Sequence, residues 1–178
     1  CDYIASRRIS VPVDRGNVIK SGILDRKYAE WIPDEIVLTI PEGKDYLSKP
    51  EIFMLDLLSN YKWDRPINFL SYGGDINIGI KDYLMFQGYS HLLIPIRNHP
   101  QSSDQGFVDP QELYSLMTRN FSWDDLARED YFVDYQNIYT TLGVVSVRNV
   151  FLNCADVFIK AGYPEWAMEM LDKSVYAT

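Results

Sequence analysis

PINFLSYGGDINIGIKDYLMFQGYSHLLIPI, residues 66–96, is the stretch whose reading decides the fold. INFLSY is a short strand closed by Gly73-Gly74. Ile80, Tyr83, Leu84 and Gln87 then recur at helical spacing, with Gly88 as a stop residue. HLLIPI (91–96) is a continuous apolar run of strand length, and Pro95 places its end at an edge or outside the sheet. Strand–helix–strand with short connections predicts parallel pairing and right-handed crossovers.

The neighbouring segments extend that pattern. EIVLTI (35–40) is a β-type run stopped by Pro41 and Gly43. Ser48-Lys49-Pro50-Glu51 matches a capping box with proline in the first turn. The helix after it, EIFMLDLLSN, is apolar on nearly every side, which predicts burial between layers. Its acid, Asp56, is read either as a buried partner for a base such as Arg65 or as part of a narrow solvated stripe. Downstream, Asp109-Pro110-Gln111-Glu112 opens another helix, with Leu113, Leu116 and Met117 facing inward. The fold class expected is therefore α/β: a small, mostly parallel sheet with flanking helices, followed by a C-terminal tetratricopeptide-like helical hairpin.

Three parts are expected. Residues 1–35 form a connecting arm with one strand, in which Ile9, Val11 and Val13 alternate. Residues 36–122 form the α/β domain. Residues 123–178 hold an acidic connector, WDDLAREDYFVDYQ, and the hairpin. On the first hairpin helix Val147, Phe151, Cys154, Ala155 and Phe158 share a face. Gly162 ends it, Pro164 begins the second helix, and Ala167, Leu171 and Val175 face back.

Charge and motif content exclude several functions. A net charge of −8 opposes nucleic-acid partners, which need a basic face, and opposes anchoring through a polybasic patch. No apolar run approaches the ~18–20 residues needed to span a bilayer. The cysteines are Cys1 and Cys154. Cys154 lies in an apolar helical pattern and reads as a buried, inert thiol. Cys1 stands where a lipidated cysteine would, but a strand pattern follows at once instead of a tether, so the chain reads as part of a longer protein.

Gly73 and Gly74 sit where a phosphate cradle would be, after a strand and before a helix. The spacing G-G-x-x-x-x-G fits neither phosphate motif, Lys81 is misplaced, and Asp75 would repel a phosphate. The pair reads first as a turn, with Tyr72, Gly73, Gly74 and Asp75 as the candidate ligand contacts. His91 and His99 come with no metal-ligand spacing, and the acids at 124–134 do not follow a calcium-loop pattern. No nucleophile elbow is present. No catalytic residue, cofactor or metal is therefore expected in this chain.

Three phrases, IFMLDLLSNYKWDRPINF (52–69), IGIKDYLMFQGYSHLLIPI (78–96) and NIYTTLGVVSVRNVFLNCADVFIKAGYPEWAMEMLDKSV (137–175), carry a family resemblance. Trp63 to Phe69 and Asp82 to Ile96 are its more specific parts. The chain resembles the soluble C-terminal region of bacterial multi-pass membrane proteins of poorly defined function, whose membrane part is similar to protein O-mannosyltransferases of the C-type membrane glycosyltransferase superfamily. The resemblance implies a non-catalytic domain of an inner-membrane protein, placed on the periplasmic side. Its implied partners are the membrane domain of the same chain and a protein or peptide acceptor. The catalytic groups of such transferases belong to the membrane part, so none is carried over.

Two further readings stay open. One is a free-standing small-molecule binder or enzyme using the crevice at the carboxyl ends of the strands, with the 97–106 loop as a lid. The other is an interaction module whose hairpin docks a partner helix.

Overall fold

Alternation of apolar residues fixes the first two strands. The computed structural model describes residue 4 and residues 6–70, 76–98, 105–121 and 144–176. In it β1 (Arg8–Pro12) pairs antiparallel with β2 (Glu35–Thr39), in the register Ile9↔Leu38 and Val11↔Ile36. Val11, Ile36 and Leu38 are buried, as a period of two requires. The intervening segment, read from sequence only as part of a connecting arm, holds α1 (Arg15–Lys20) and a 3-10 turn over Arg26–Trp31. Asp14 caps α1 by accepting the Asn17 N–H at 2.9 Å. Val18, Ile23, Leu24 and Ile32 from this segment join the same buried core as the two strands.

Side chains close the edges of this ribbon. The Tyr83 hydroxyl accepts the Val37 N–H at 3.2 Å and donates to the Val37 carbonyl at 3.1 Å. The Trp63 indole N–H donates to the Pro12 carbonyl at 2.8 Å, and Pro12 itself brings no N–H. Unpaired backbone groups that would invite another strand are thereby occupied.

α2 (Lys49–Ser59) starts as its capping box predicts, with the Glu51 carboxylate accepting the Ser48 N–H at 2.8 Å. Its burial differs from expectation. Glu51, Met54 and Leu58 form one buried stripe, while Ile52 and Phe53 are 55% and 65% exposed. The helix lies against one layer rather than between two.

The 66–96 stretch departs most from its reading. β3 (Asn68–Phe69), β4 (Leu84–Phe86) and β5 (His91–Leu93) form one sheet in the order β3-β5-β4, and both pairings are antiparallel. The expected helix over 80–87 is a 3-10 turn at Ile80–Tyr83 running directly into β4. Leu84, Met85 and Phe86 are all buried, so both faces of β4 are covered, and its two backbone edges are taken by β5 and Phe107. The Phe86 N–H reaches the Phe107 carbonyl at 2.8 Å, and the Phe107 N–H reaches the Leu84 carbonyl at 3.1 Å. Gly88, with φ +83, turns a hairpin instead of ending a helix. The mostly parallel sheet is thus corrected to small antiparallel sheets, and mixed α/β remains.

The chain divides into two compact units, Cys1–Phe86 with Ser90–Phe107, and Gln87–Tyr89 with Val108–Thr178. The second unit is helical. Asp109 caps α3 (Pro110–Ser115) by accepting the Gln111 and Glu112 N–H groups, and a π-helical turn continues it over Leu116–Asn120. α4 (Val144–Lys160) and α5 (Pro164–Tyr176) form the expected hairpin. Val147, Phe151, Cys154, Ala155 and Phe158 are buried together, as their spacing predicts. Gly162, at φ +84, ends α4, and the Tyr163 N–H reaches back to the Phe158 carbonyl at 2.8 Å. On α5 Ala167 and Met170 are buried, but Val175 is 70% exposed and does not face back as expected.

Candidate functional site

The phrase Tyr61-Lys62-Trp63-Asp64-Arg65-Pro66-Ile67 follows α2 directly and forms a rigid loop. Trp63 is fully buried and takes φ +57, a region that a bulky L-residue rarely enters. Several contacts hold it there. Its indole is fixed to Pro12, and its carbonyl accepts the Ser21 hydroxyl at 3.1 Å. Its ring lies 4.7 Å from that of Tyr61. The Asn17 amide holds the Lys62 carbonyl at 2.9 Å, and the Tyr61 hydroxyl donates to the Arg65 carbonyl at 2.6 Å. Burial pushes the Tyr61 phenol up to about 12, with the Asp64 charge adding to the shift and Arg65 opposing it. Such backbone strain costs about 1–3 kcal/mol and persists where the surroundings over-determine it.

Between this loop and α2 lies a groove of about 540 Å³. Phe53, Asp56, Leu57 and Asn60 line its helical side, the i, i+3, i+4, i+7 stripe of α2. Tyr61, Lys62, Asp64, Arg65 and Ile67 line the other side. Asp56 and Arg65, the pair considered from sequence, therefore border one groove without forming a buried ion pair; both are exposed. The last turn of α2 is internally satisfied, since the Asp56 carbonyl accepts the Ser59 hydroxyl at 2.7 Å and the Asn60 amide at 3.3 Å.

The start of α2 carries a second constellation. Glu51 is fully buried and accepts four hydrogen bonds. Its Oε2 takes the Ser48 N–H at 2.8 Å and the Ser48 hydroxyl at 2.9 Å. Its Oε1 takes the Asn77 N–H at 2.7 Å and the Lys44 ammonium at 3.0 Å. Burial alone would push this carboxyl up; the hydrogen bonds from Ser48, Asn77 and Lys44 outweigh it and hold the group at about 2. With its lone pairs committed, Glu51 is a latch and not an acid or base. It ties α2 to Asn77 and Lys44.

Tyr72, Gly73, Gly74 and Asp75 lie outside the described residues, as do His99 and the acidic connector at 123–136. The crevice at the carboxyl ends of parallel strands has no counterpart in the antiparallel β3-β5-β4 sheet. His91 is buried on β5 beside the Phe86 ring, and burial pushes its imidazole down to about 4, against a hydrogen bond with Gln105. Cys154 is buried as expected, and burial pushes its thiol up to about 12. Among the described residues no group of three or more His, Cys, Asp or Glu side chains could hold a metal ion.

In the helical unit Trp166 is stacked between Tyr163 and Tyr114, with ring centroids 4.2 and 4.3 Å away. The Tyr114 hydroxyl donates to Glu169 at 2.6 Å, which ties α3 to the hairpin. Both faces of the indole are occupied, so this cluster reads as packing.

Sequence reasoning singled out Trp63 to Phe69 as a phrase but missed the groove that the phrase borders. The available signal was a tryptophan in a charged turn just before Pro66. Glu51 was legible as a capping residue; its burial was not.

Among the described residues no helix is long and apolar enough to cross a membrane. No curated protein and no solved structure matches the chain. Residues 1–112 match the family described as TMEM260-associated domain 2, a span that contains both antiparallel sheets, α2, the Trp63 loop and the start of α3. The 137–175 phrase lies beyond that match. The chain belongs to the TMEM260-associated domain 2 family, a domain associated with a membrane protein.

Proposed function

We propose that this chain is a non-catalytic accessory domain of a membrane glycosyltransferase-like protein, held on the extracytoplasmic (in a bacterium, periplasmic) side. It binds polypeptide, either an acceptor or the membrane part of its own chain, through the groove between α2 and the Trp63 loop. The observation that carries this reading is the groove itself: strained, pinned backbone on one side and an exposed Phe53 on the other. Rigid loops that hold strained residues are where binding surfaces concentrate. The family's association with a membrane protein and the resemblance of the 52–69 and 78–96 phrases support the setting.

The test is a photo-crosslinking residue in place of Phe53 in the full-length protein, in its own membrane. Adducts with a polypeptide, either the same chain's membrane part or a second protein, are expected. Adducts confined to lipid, or none, would overturn the reading. A cysteine in place of Asp64 reports the side: labelling of intact cells by a membrane-impermeant maleimide is expected, and labelling only after lysis would contradict it.

A further inference from the structure

We infer that the groove takes a polypeptide segment that seats an apolar side chain between flanking residues of opposite charge. The inference rests on the reading above and names the chemistry of the ligand. Phe53, Leu57 and Ile67 supply the apolar lining of this open groove, whose volume of about 540 Å³ lies in the range of ligand-binding clefts. Around them stand two acids, Asp56 and Asp64, and two bases, Lys62 and Arg65. All four are exposed, and none is engaged in an ion pair with another side chain among the described residues.

That charge arrangement selects the ligand class. A phosphate or polyanion would meet Asp56 and Asp64, and a polycation would meet Lys62 and Arg65. A segment bearing both signs satisfies both pairs, and like-charge juxtaposition rejects the alternatives. Recognition through an added strand is disfavoured here, because the Asp56 and Arg65 carbonyls already accept hydrogen bonds from Ser59, Asn60 and Tyr61. The pinned Trp63 loop keeps the groove preformed, which lowers the cost of binding.

The experiment uses the 178-residue chain. Four short fluorescein-labelled peptides are titrated by anisotropy. Each has a central Leu; the flanks are Lys then Glu, Glu then Lys, Lys on both sides, or Glu on both sides. One mixed order is expected to bind at least about tenfold tighter than either single-sign peptide. Phe53→Ala is expected to weaken it about tenfold or more, as loss of an apolar anchor does. The double change Asp64→Arg with Arg65→Asp should invert the preferred order. Should that double variant lose its native tryptophan emission, Asp56→Asn on the exposed face of α2 replaces it and should weaken the Lys-bearing side.

Equal binding of a single-sign peptide, no binding at about 1 mM, or affinities unmoved by these substitutions would each overturn the inference. Polypeptide crosslinks at position 53 together with failed peptides would discard the ligand class and leave the accessory-domain reading standing. Failure of both assays would remove both.

Discussion

Glu51→Gln is the sharpest perturbation available. The wild-type carboxylate is fully buried and accepts from two backbone amides, a hydroxyl and an ammonium. Glutamine keeps the shape but turns an NH₂ group toward donors that need an acceptor. The carboxyl falls from 4.5 to about 2 on folding, and at 1.36 kcal/mol per unit that corresponds to about 3 kcal/mol. Leaving one or two buried amides without a partner costs a similar amount, about 1–3 kcal/mol each. The variant should therefore be about 3 kcal/mol less stable at pH 7 in urea unfolding followed by tryptophan emission, with buried Trp63 as a reporter.

The pH dependence separates this mechanism from simple loss of packing. A depressed folded-state carboxyl contributes stability above its unfolded value of 4.5, and that contribution is lost as pH falls from there toward about 2. The difference between wild type and variant should hold from pH 7 to about 5 and shrink to less than about half by pH 3. His91, pushed down from 6.5 to about 4, loses its own contribution as pH falls through that higher window. It does so in both proteins and cancels in the difference. Lys44→Met removes one donor of the four and should cost about 1 kcal/mol. A wild-type–variant gap below about 1 kcal/mol at pH 7, or one that is equal at pH 7 and pH 3, would refute the latch.

Four other substitutions or probes test the packing within the two units. Gly79→Ala combines φ +82 with a Cβ placed 2.7 and 2.8 Å from the Thr39 N and O; it should cost about 3 kcal/mol in urea unfolding. Gly162→Ala has the same sign of φ but open space around it and should cost only about 1 kcal/mol, so equal penalties would count against the close approach. Tyr83→Phe strips both hydrogen bonds from Val37 and should destabilise by about 2 kcal/mol; a neutral result would mean water replaces the hydroxyl. With Cys1 changed to serine, Cys154 should resist iodoacetamide until denaturant opens the hairpin, because its thiol is buried and pushed up to about 12. Rapid alkylation of the native protein would contradict that packing.

What the sequence made legible were features whose cause is local. Alternation at Ile9, Val11 and Val13 and at Ile36, Leu38 and Ile40 specified strands, because one face alone is buried. Caps at Ser48 and Asp109 and the stop at Gly162 fixed helix ends within a turn. The 80–87 segment failed for a physical reason. Ile80, Tyr83 and Leu84 satisfy a helical spacing, but a 3-10 turn running into a strand buried on both sides satisfies it equally. The arbiter is Phe107, 22 residues beyond Met85, which occupies the free side of β4. No window of local periodicity contains that partner. The convergence of Lys44 and Asn77 on Glu51 is non-local in the same way.

The reading of α2 failed differently, and the failure bears on function. A helix apolar on nearly every side should be buried, yet Ile52 and Phe53 remain exposed while the opposite stripe meets the core. Local preference and tertiary placement thus disagree at one face of one helix. Natural sequences are mostly consistent across these levels, and departures concentrate at functional positions. Trp63, held at φ +57 in the adjoining loop, is a second departure of the same kind. Phe53 lines the groove, and Lys62 and Asp64, the neighbours of buried Trp63, line its other wall, so one departure costs exposed apolar surface there and the other costs backbone strain in the loop that carries that wall. A partner that covers Phe53 and engages the charges around it would account for the first. It would also give the strained loop a purpose, since only a loop fixed in advance can present Asp64 and Arg65 without ordering them at the moment of binding.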